Sequence, residues 1–98
     1  MKRFVLTKTA ERDLDKIKSY LGEKAGPATT RRVMKEIRRA FDLLGRNPGV
    51  GHVRQDVIDR PVKFWPLYSY LIVYDPETKP VQIMRVLHGM RDLAEILN

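Results

Sequence analysis

The stretch that decides the fold is SYLIVYDP, residues 69–76, in which a run of large apolar and aromatic side chains ends at an acidic residue and a proline. In a β-strand, successive side chains point to opposite faces of the sheet. Residues 70–74 are apolar at both alternating positions, so a strand here would bury both of its faces. This pattern predicts a central strand of a sheet.

Strand-like segments lie on both sides of this central run. Residues 62–65 (VKFW) lead into Pro66, and a proline in a strand indicates an edge or a strand end because it lacks the backbone N–H. Residues 75–80 (DPETKP) have the composition of a turn, and residues 81–87 (VQIMRVL) form the last predicted strand. Short connections between the three strands predict an antiparallel meander. Residues 92–97 predict a short C-terminal helix.

The first part of the chain predicts one strand and then two helices. Residues 3–6 (RFVL) read as a strand, and Thr7 or Thr9 can cap the helix that follows, since a hydroxyl accepts hydrogen bonds from free amides at a helix start. Gly22 and the pair Gly26-Pro27 predict the end of the first helix and the start of the second. The first helix has one apolar stripe at helical spacing: Ala10, Leu14, Ile17 and Leu21.

The second helix has one apolar and one cationic face. Its apolar positions are Val33, Met34, Ile37, Ala40, Phe41 and Leu44. Its exposed positions are mainly basic, with Asp42 among them: Arg31, Arg32, Lys35, Arg38, Arg39 and Arg46. Two helices joined by a few residues form an antiparallel hairpin, which would pack on one face of the sheet. We therefore predict a small single α+β domain over residues 1–98: strand, helix, helix, three-stranded antiparallel meander and short C-terminal helix.

Composition narrows the class of protein. The chain has 98 residues and no cysteine, which excludes disulfides and a thiol nucleophile. The N-terminal segment has no apolar run typical of a signal peptide, and no stretch approaches the ~20 apolar residues of a membrane span. We expect a cytoplasmic protein that does not bind membranes.

The net charge of +7 is unevenly distributed. Residues 1–49 contain thirteen Lys and Arg against six Asp and Glu, whereas residues 50–98 contain six of each kind. A basic surface attracts nucleic acid or an acidic protein segment, although a solvated helix face has the same composition.

His88, near the end of the last predicted strand, is the main candidate for catalysis. Cleavage of RNA through the 2′-hydroxyl needs a base, an acid and a cation, and His88 with Arg85 and Arg91 could supply these types. On a regular strand, however, Arg85 and His88 would face opposite sides unless the chain twisted at Gly89. A structural role for His88 at the strand end is therefore favoured. No His, Asp or Glu cluster has metal-ligand spacing, and we predict no metal and no cofactor.

Four segments, taken together, resemble a known family. They are FVLTKTAERDLDKI, LLGRNPGVGHVR, SYLIVYDP and IMRVLHGMRDLAEIL, and they are similar to the RelE/ParE toxin superfamily of type II toxin–antitoxin systems, most of all to its ParE-like branch. The similarity covers nearly the whole chain in the expected order. It implies the same order of strands and helices as the residue patterns predict.

The resemblance also implies a partner, a cognate ParD-like antitoxin. The C-terminal region of such an antitoxin would wrap the toxin across the helix hairpin and the sheet. A basic helix exterior would attract an acidic tail, and an exposed sheet edge can accept an added strand. The residues that we assign to antitoxin binding are Arg31, Lys35, Arg38, Arg39, Trp65 and Tyr68.

The target differs between branches of the superfamily. ParE-like members inhibit DNA gyrase and so block replication, whereas RelE-like members cut messenger RNA on the ribosome. Arg85 and His88 match positions used by the nucleases. However, Gly89 and Met90 stand where an aromatic amino acid is common in the nucleases. Residues 69–74 also contain no Lys or Arg. We therefore predict a gyrase-binding toxin that is not an enzyme, with a ribosome-dependent endonuclease using Arg85 and His88 as the alternative. The residues that we assign to target binding are Lys63, Arg85, His88 and Arg91.

Overall fold

The computed structural model describes residues 3–53 and 61–88. The elements are β1 (Phe4–Leu6), α1 (Lys8–Lys24), α2 (Gly26–Arg46), a 3-10 turn (Pro48–Val50), β2 (Lys63–Leu67), β3 (Tyr70–Asp75) and β4 (Val81–His88). This order confirms the predicted small α+β domain. The helix predicted for residues 92–97 lies outside the described residues.

The four strands form one sheet in the order β1-β4-β3-β2. Strands β2, β3 and β4 are the predicted antiparallel meander. Strand β1 pairs with β4 in parallel, because the helix hairpin returns the chain to the far side of the sheet. Strand β3 is internal, and its residues 70–74 are all buried, as its apolar pattern predicts.

The helix hairpin is fixed to the sheet at its start by Thr7. The Thr7 hydroxyl accepts a hydrogen bond from the Ala10 N–H (3.0 Å), which caps α1, and donates one to the Met84 carbonyl of β4 (2.9 Å). Helix α1 continues through Gly22 to Lys24, and α2 begins at Gly26, so the break lies within the segment that Gly22 and Gly26-Pro27 predict. Gly22 is exposed, with no other group near its Cα. An exposed glycine costs a helix about 1 kcal/mol, which neighbouring residues can outweigh.

Helix α2 crosses very close to the chain that enters β1. A Cβ atom at Gly45 would lie 2.5 Å from the Arg3 carbonyl oxygen, so a residue larger than glycine does not fit between the two backbones. This contact places the end of α2 against β1. The Phe4 and Phe41 rings, with centroids 5.3 Å apart, pack in the same region.

The apolar side chains form two clusters, one on each face of the sheet. The predicted stripes of both helices supply one cluster, together with β3 and β4 residues that point toward the helices. Its buried members include Ala10, Leu14, Ile17, Ile37, Ala40, Phe41, Leu44, Ile72, Tyr74, Ile83 and Val86. The other cluster contains Val62, Phe64, Leu71, Val73 and Leu87. Burial on both faces is the reason that β3 has no polar side.

Candidate functional site

Arg85, one of the candidate catalytic residues, forms an ion pair that joins β4 to α1. The Arg85 Nε and Nη2 atoms donate to the two carboxylate oxygens of Asp13 at 2.8 and 3.1 Å. The same carboxylate accepts a hydrogen bond from the Val86 N–H at 3.0 Å. The side chains of Arg85 and Asp13 are 24% and 9% exposed, so the pair is mostly sheltered from water. The hydrogen bonds that Arg85 donates to Asp13 raise the pKa of Arg85, which therefore stays charged.

Between Arg85 and His88 the strand keeps the alternation that the sequence predicts, because the bulge of β4 precedes both residues. Val73 pairs with Arg85 but the next residue, Tyr74, pairs with Ile83, so the extra residue lies between Ile83 and Arg85. From Arg85 to His88 the pairing with β3 is regular. Both side chains nevertheless contact α1, Arg85 through Asp13 and His88 through Tyr20 further along the helix.

His88 is exposed and lies against two tyrosine rings. Its ring centroid is 5.1 Å from that of Tyr70 and 6.2 Å from that of Tyr20. These three residues, with Lys16 and Ile17, line a pocket of about 280 Å³ that we name the strand-end pocket. Burial raises the pKa of Tyr70, which keeps its hydroxyl protonated at neutral pH.

The other predicted target-binding residues are not all brought to this pocket. Lys63 pairs with Tyr74 at one end of β3, whereas His88 pairs with Tyr70 at the other end, about 13 Å along the strand. The Lys63 Nζ atom donates to the Gly49 carbonyl at 3.1 Å. Arg91 lies outside the described residues. Lys16, which sequence reasoning missed, is a cation that lines the pocket, and its position depends on how α1 packs on the strand ends.

A larger groove runs between α1, α2 and β1, with a volume of about 690 Å³. Its lining includes three apolar side chains, Leu6, Leu14 and Met34. Four cations also line it: Lys18, Arg31, Lys35 and Arg38. Two carboxylates, Glu11 and Asp15, and the hydroxyl residue Thr30 complete the lining. The groove therefore brings together three of the residues predicted to bind an antitoxin, and we name it the hairpin groove.

A second cavity, of about 500 Å³, continues the hairpin groove along β1. The two cavities share Leu6, Glu11 and Arg38. Among the described strands, β1 has one hydrogen-bonded neighbour, β4, which leaves its other side as an edge. The opposite edge of the sheet, β2, is less suited to strand addition. His52 already exchanges two hydrogen bonds with Phe64 there, at 2.7 and 2.8 Å, and Pro66 has no N–H to donate.

The remaining predicted antitoxin-binding residues differ in their surroundings. Arg39 is exposed on α2. Trp65 is half-buried against the helix-side cluster and lies parallel to the His52 ring at a centroid distance of 6.5 Å. Tyr68, at the turn between β2 and β3, is 66% exposed, and its hydroxyl donates a hydrogen bond to Glu36 of α2. This hydrogen bond raises the pKa of Tyr68.

The part of the chain that the structure describes contains neither a metal-binding cluster nor a helix that could span a membrane. In residues 3–53 and 61–88, no three His, Asp or Glu side chains are grouped closely enough to hold a metal ion. None of the helices in these residues has the length and apolar character needed to cross a membrane.

The fold is shared with a solved toxin–antitoxin structure. A chain of the chromosomal ParDE toxin–antitoxin system from P. aeruginosa superposes with a TM-score of 0.75. The two sequences are 20% identical, and the match covers 89% of this chain and 95% of that chain. No curated protein sequence matches the chain.

The sequence also matches a protein family over nearly its whole length. The family is described as the ParE toxin of the type II toxin–antitoxin system parDE, and the match spans residues 4–93. The fold and this match identify the chain as a toxin of the type II toxin–antitoxin class. Within that class, the chain belongs to the ParE toxin family.

Proposed function

We propose that this toxin binds and inhibits DNA gyrase without making or breaking a covalent bond, and that a ParD-type antitoxin neutralises it. The proposal that the toxin does not act as an enzyme rests on the ion pair between Arg85 and Asp13. An enzyme that cleaves RNA needs a cation positioned for the charge that develops on the phosphate. Arg85 already directs two N–H groups to Asp13, so it is not positioned for that role.

Releasing Arg85 for catalysis would be costly. It would leave the carboxylate of Asp13, which is 9% exposed, without its cation. Removing one member of a sheltered ion pair costs about 3 kcal/mol. This cost supports a structural role for Arg85, which holds the end of β4 against α1. Target contacts are then proposed at His88 and Arg91, and Lys63 would belong to a separate part of a broad interface.

The antitoxin is proposed to occupy the hairpin groove and the β1 edge. The apolar side chains Leu6, Leu14 and Met34 suit an amphipathic helix, which places its own apolar face in such a groove. Arg31, Lys35 and Arg38 line the same groove and suit acidic residues on that helix. An extended segment after the helix could pair with β1, whose edge continues from the groove. Arg39 and Tyr68 would extend the contact across α2.

A supercoiling assay tests the proposed target. Purified toxin is added to gyrase, relaxed plasmid and ATP, and loss of supercoiled product is measured. We expect inhibition by the wild type and weaker inhibition by His88→Ala. Lys8→Ala, an exposed position at the opposite end of α1 from the strand-end pocket, is the matched control and should inhibit as the wild type does. Full supercoiling at a large molar excess of toxin would contradict the proposal.

A ribosome-dependent messenger RNA endonuclease is the second candidate. It is favoured by the strand-end pocket, where His88, Lys16 and two tyrosines could exchange protons or hold a phosphate. Primer extension on messages from translating ribosomes distinguishes the two functions. Specific cuts that disappear with His88→Ala and with Lys16→Ala would establish the nuclease and overturn the gyrase proposal.

A further inference from the structure

Tyr68 holds a backbone conformation that tyrosine rarely adopts. Its φ is 57°, and Tyr68 and Ser69 alone connect β2 to β3. A two-residue connection of this kind requires positive φ, for which glycine, asparagine and aspartate are the usual residues. A bulky side chain in this region is an outlier that is commonly found where function requires it. Tyr68 is nevertheless 66% exposed, so its side chain does not pack in the hydrophobic core.

Glu36, which accepts the Tyr68 hydrogen bond, is an acidic residue on a helix whose other charged residues are mostly basic. Helix α2 has two acidic residues, Glu36 and Asp42, and Asp42 forms an ion pair with Arg46. Glu36 is instead bound by the neutral hydroxyl of Tyr68. Among the described residues, none forms an ion pair with Glu36, so its negative charge remains available beside an exposed aromatic ring.

Glu36 faces away from the hairpin groove. Successive residues of an α-helix are rotated by about 100°, so Glu36 is about 200° from Met34 around α2. Met34 lines the hairpin groove, whereas Glu36 reaches the β2–β3 turn. Arg32, Lys35 and Arg39, all exposed, are spaced along the helix near Glu36. A polypeptide that leaves the groove across α2 would pass this cationic surface before it reached Tyr68.

We propose that Glu36 and Tyr68 form a recognition site for one Lys or Arg of the antitoxin, within a segment that is otherwise acidic. This inference rests on the proposed antitoxin docking and specifies its charge pattern. The partner cation would pair with the Glu36 carboxylate and lie over the Tyr68 ring, a combination of ion pair and cation–π contact. The hydroxyl hydrogen bond fixes the ring beside the carboxylate before binding, which lowers the entropy lost on association.

Such a site would give specificity rather than much affinity. A uniformly acidic segment would place a like charge against Glu36, which is repulsive. A nucleic acid would meet the same repulsion from each phosphate that approached Glu36. An acidic peptide with one basic residue removes this repulsion at Glu36, whereas a nucleic acid has no positive charge to place there.

Selection from a display library of random peptides tests the proposal with a probe of known composition. The library is selected on the wild type, on Glu36→Gln and on Tyr68→Ala, with Arg46→Gln as a control at the end of α2. Wild-type and control pools should be enriched in acidic peptides that carry one Lys or Arg at a constant distance from their apolar residues. The Glu36→Gln pool should keep the acidic and apolar pattern but lose the basic residue. Synthetic peptides from the wild-type pool should bind Glu36→Gln about tenfold more weakly.

Failure of this inference is distinguishable from failure of the proposed docking. Acidic peptides with the same basic residue in the wild-type and Glu36→Gln pools would overturn the recognition site but keep the docking. Wild-type pools without acidic enrichment would overturn the docking and the inference that rests on it. Circular dichroism of each variant, compared with the wild type, confirms that the selected protein is folded.

Discussion

The carboxylate of Asp13 binds both the side chain of Arg85 and the backbone N–H of Val86, so a single residue of α1 fixes the bulge of β4. Strand β1 ends at Leu6, opposite Ile83, so its pairing with β4 does not extend to Val86. Asp13 supplies an acceptor for the Val86 N–H beyond that end. The contact therefore connects helix packing to the direction in which the last residues of β4 leave the sheet.

Replacement of Asp13 should destabilise the protein strongly. Asp13→Ala leaves Arg85 without its ion pair and Val86 without its acceptor, and we expect the free energy of unfolding to fall by about 3 kcal/mol. Asp13→Asn keeps an acceptor for Val86 and should cost less. Urea denaturation measures both changes. Asp15→Ala, an exposed position two residues along α1, is the control, and an equal loss in both alanine variants would contradict the role of Asp13.

Two glycine-to-alanine substitutions in the helices should have opposite effects. Gly45→Ala places a methyl group 2.5 Å from the Arg3 carbonyl oxygen, so the end of α2 must move away from β1. We expect a loss of about 2 kcal/mol. Gly22→Ala meets no neighbour within 4 Å and should stabilise α1 by up to about 1 kcal/mol. Thermal unfolding of both variants, followed at 222 nm, checks the difference in sign.

Removal of the Tyr74 hydroxyl should loosen the loop after α2. This hydroxyl donates to the Pro48 carbonyl at 2.7 Å and accepts from the Gly51 N–H at 2.8 Å. Tyr74→Phe keeps the buried ring but leaves both backbone groups unpaired, which should cost about 2 kcal/mol. Tyr20→Phe, at an exposed ring, should cost little. Hydrogen exchange at Gly51 should accelerate in Tyr74→Phe, and unchanged protection there would refute the assignment.

The tyrosines should make the protein less stable in alkali. The pKa values of Tyr68, Tyr70 and Tyr74 are all raised, the first by its hydrogen bond to Glu36 and the other two by burial. A raised pKa means that the folded state holds the proton more tightly. Stability from this source is complete below the unfolded pKa of about 10 and is lost as pH rises toward the folded values. Absorbance at 295 nm should show Tyr68, Tyr70 and Tyr74 ionising at higher pH in native protein than in guanidinium.

Local patterns in the sequence predicted most of the fold. The apolar spacing of both helices, the Thr7 cap and the apolar run of β3 each depend on neighbouring residues, and the structure confirms them. The exact end of α1 was not predictable from Gly22, because the cost of one glycine is small compared with the contacts made by the rest of the helix. The place of β1 beside β4 was not predictable from spacing, since the two strands are far apart in the chain.

The candidate site was less predictable, because it depends on long-range geometry. Alternation along β4 gives Arg85 and His88 opposite parity, yet both side chains contact α1, which alternation alone does not predict. Asp13 gave no sign of its role, since its partners are 72 and 73 residues away. Lys16 and Lys18 also looked like ordinary surface residues of α1. Their neighbours become apparent only when the helix is packed on the sheet.

The pairing of β1 with β4 has a consequence for synthesis of the toxin. A ribosome makes β1 before both helices, whereas its hydrogen-bonding partner, residues 81–83, is made after β3. Until then the Thr7 hydroxyl has no Met84 carbonyl to bind, and the sheet beneath the helix hairpin is incomplete. A polypeptide released before β4 would lack this strand and, with it, the His88 pocket. Translation beyond β4 is therefore required before the nascent chain can close its sheet.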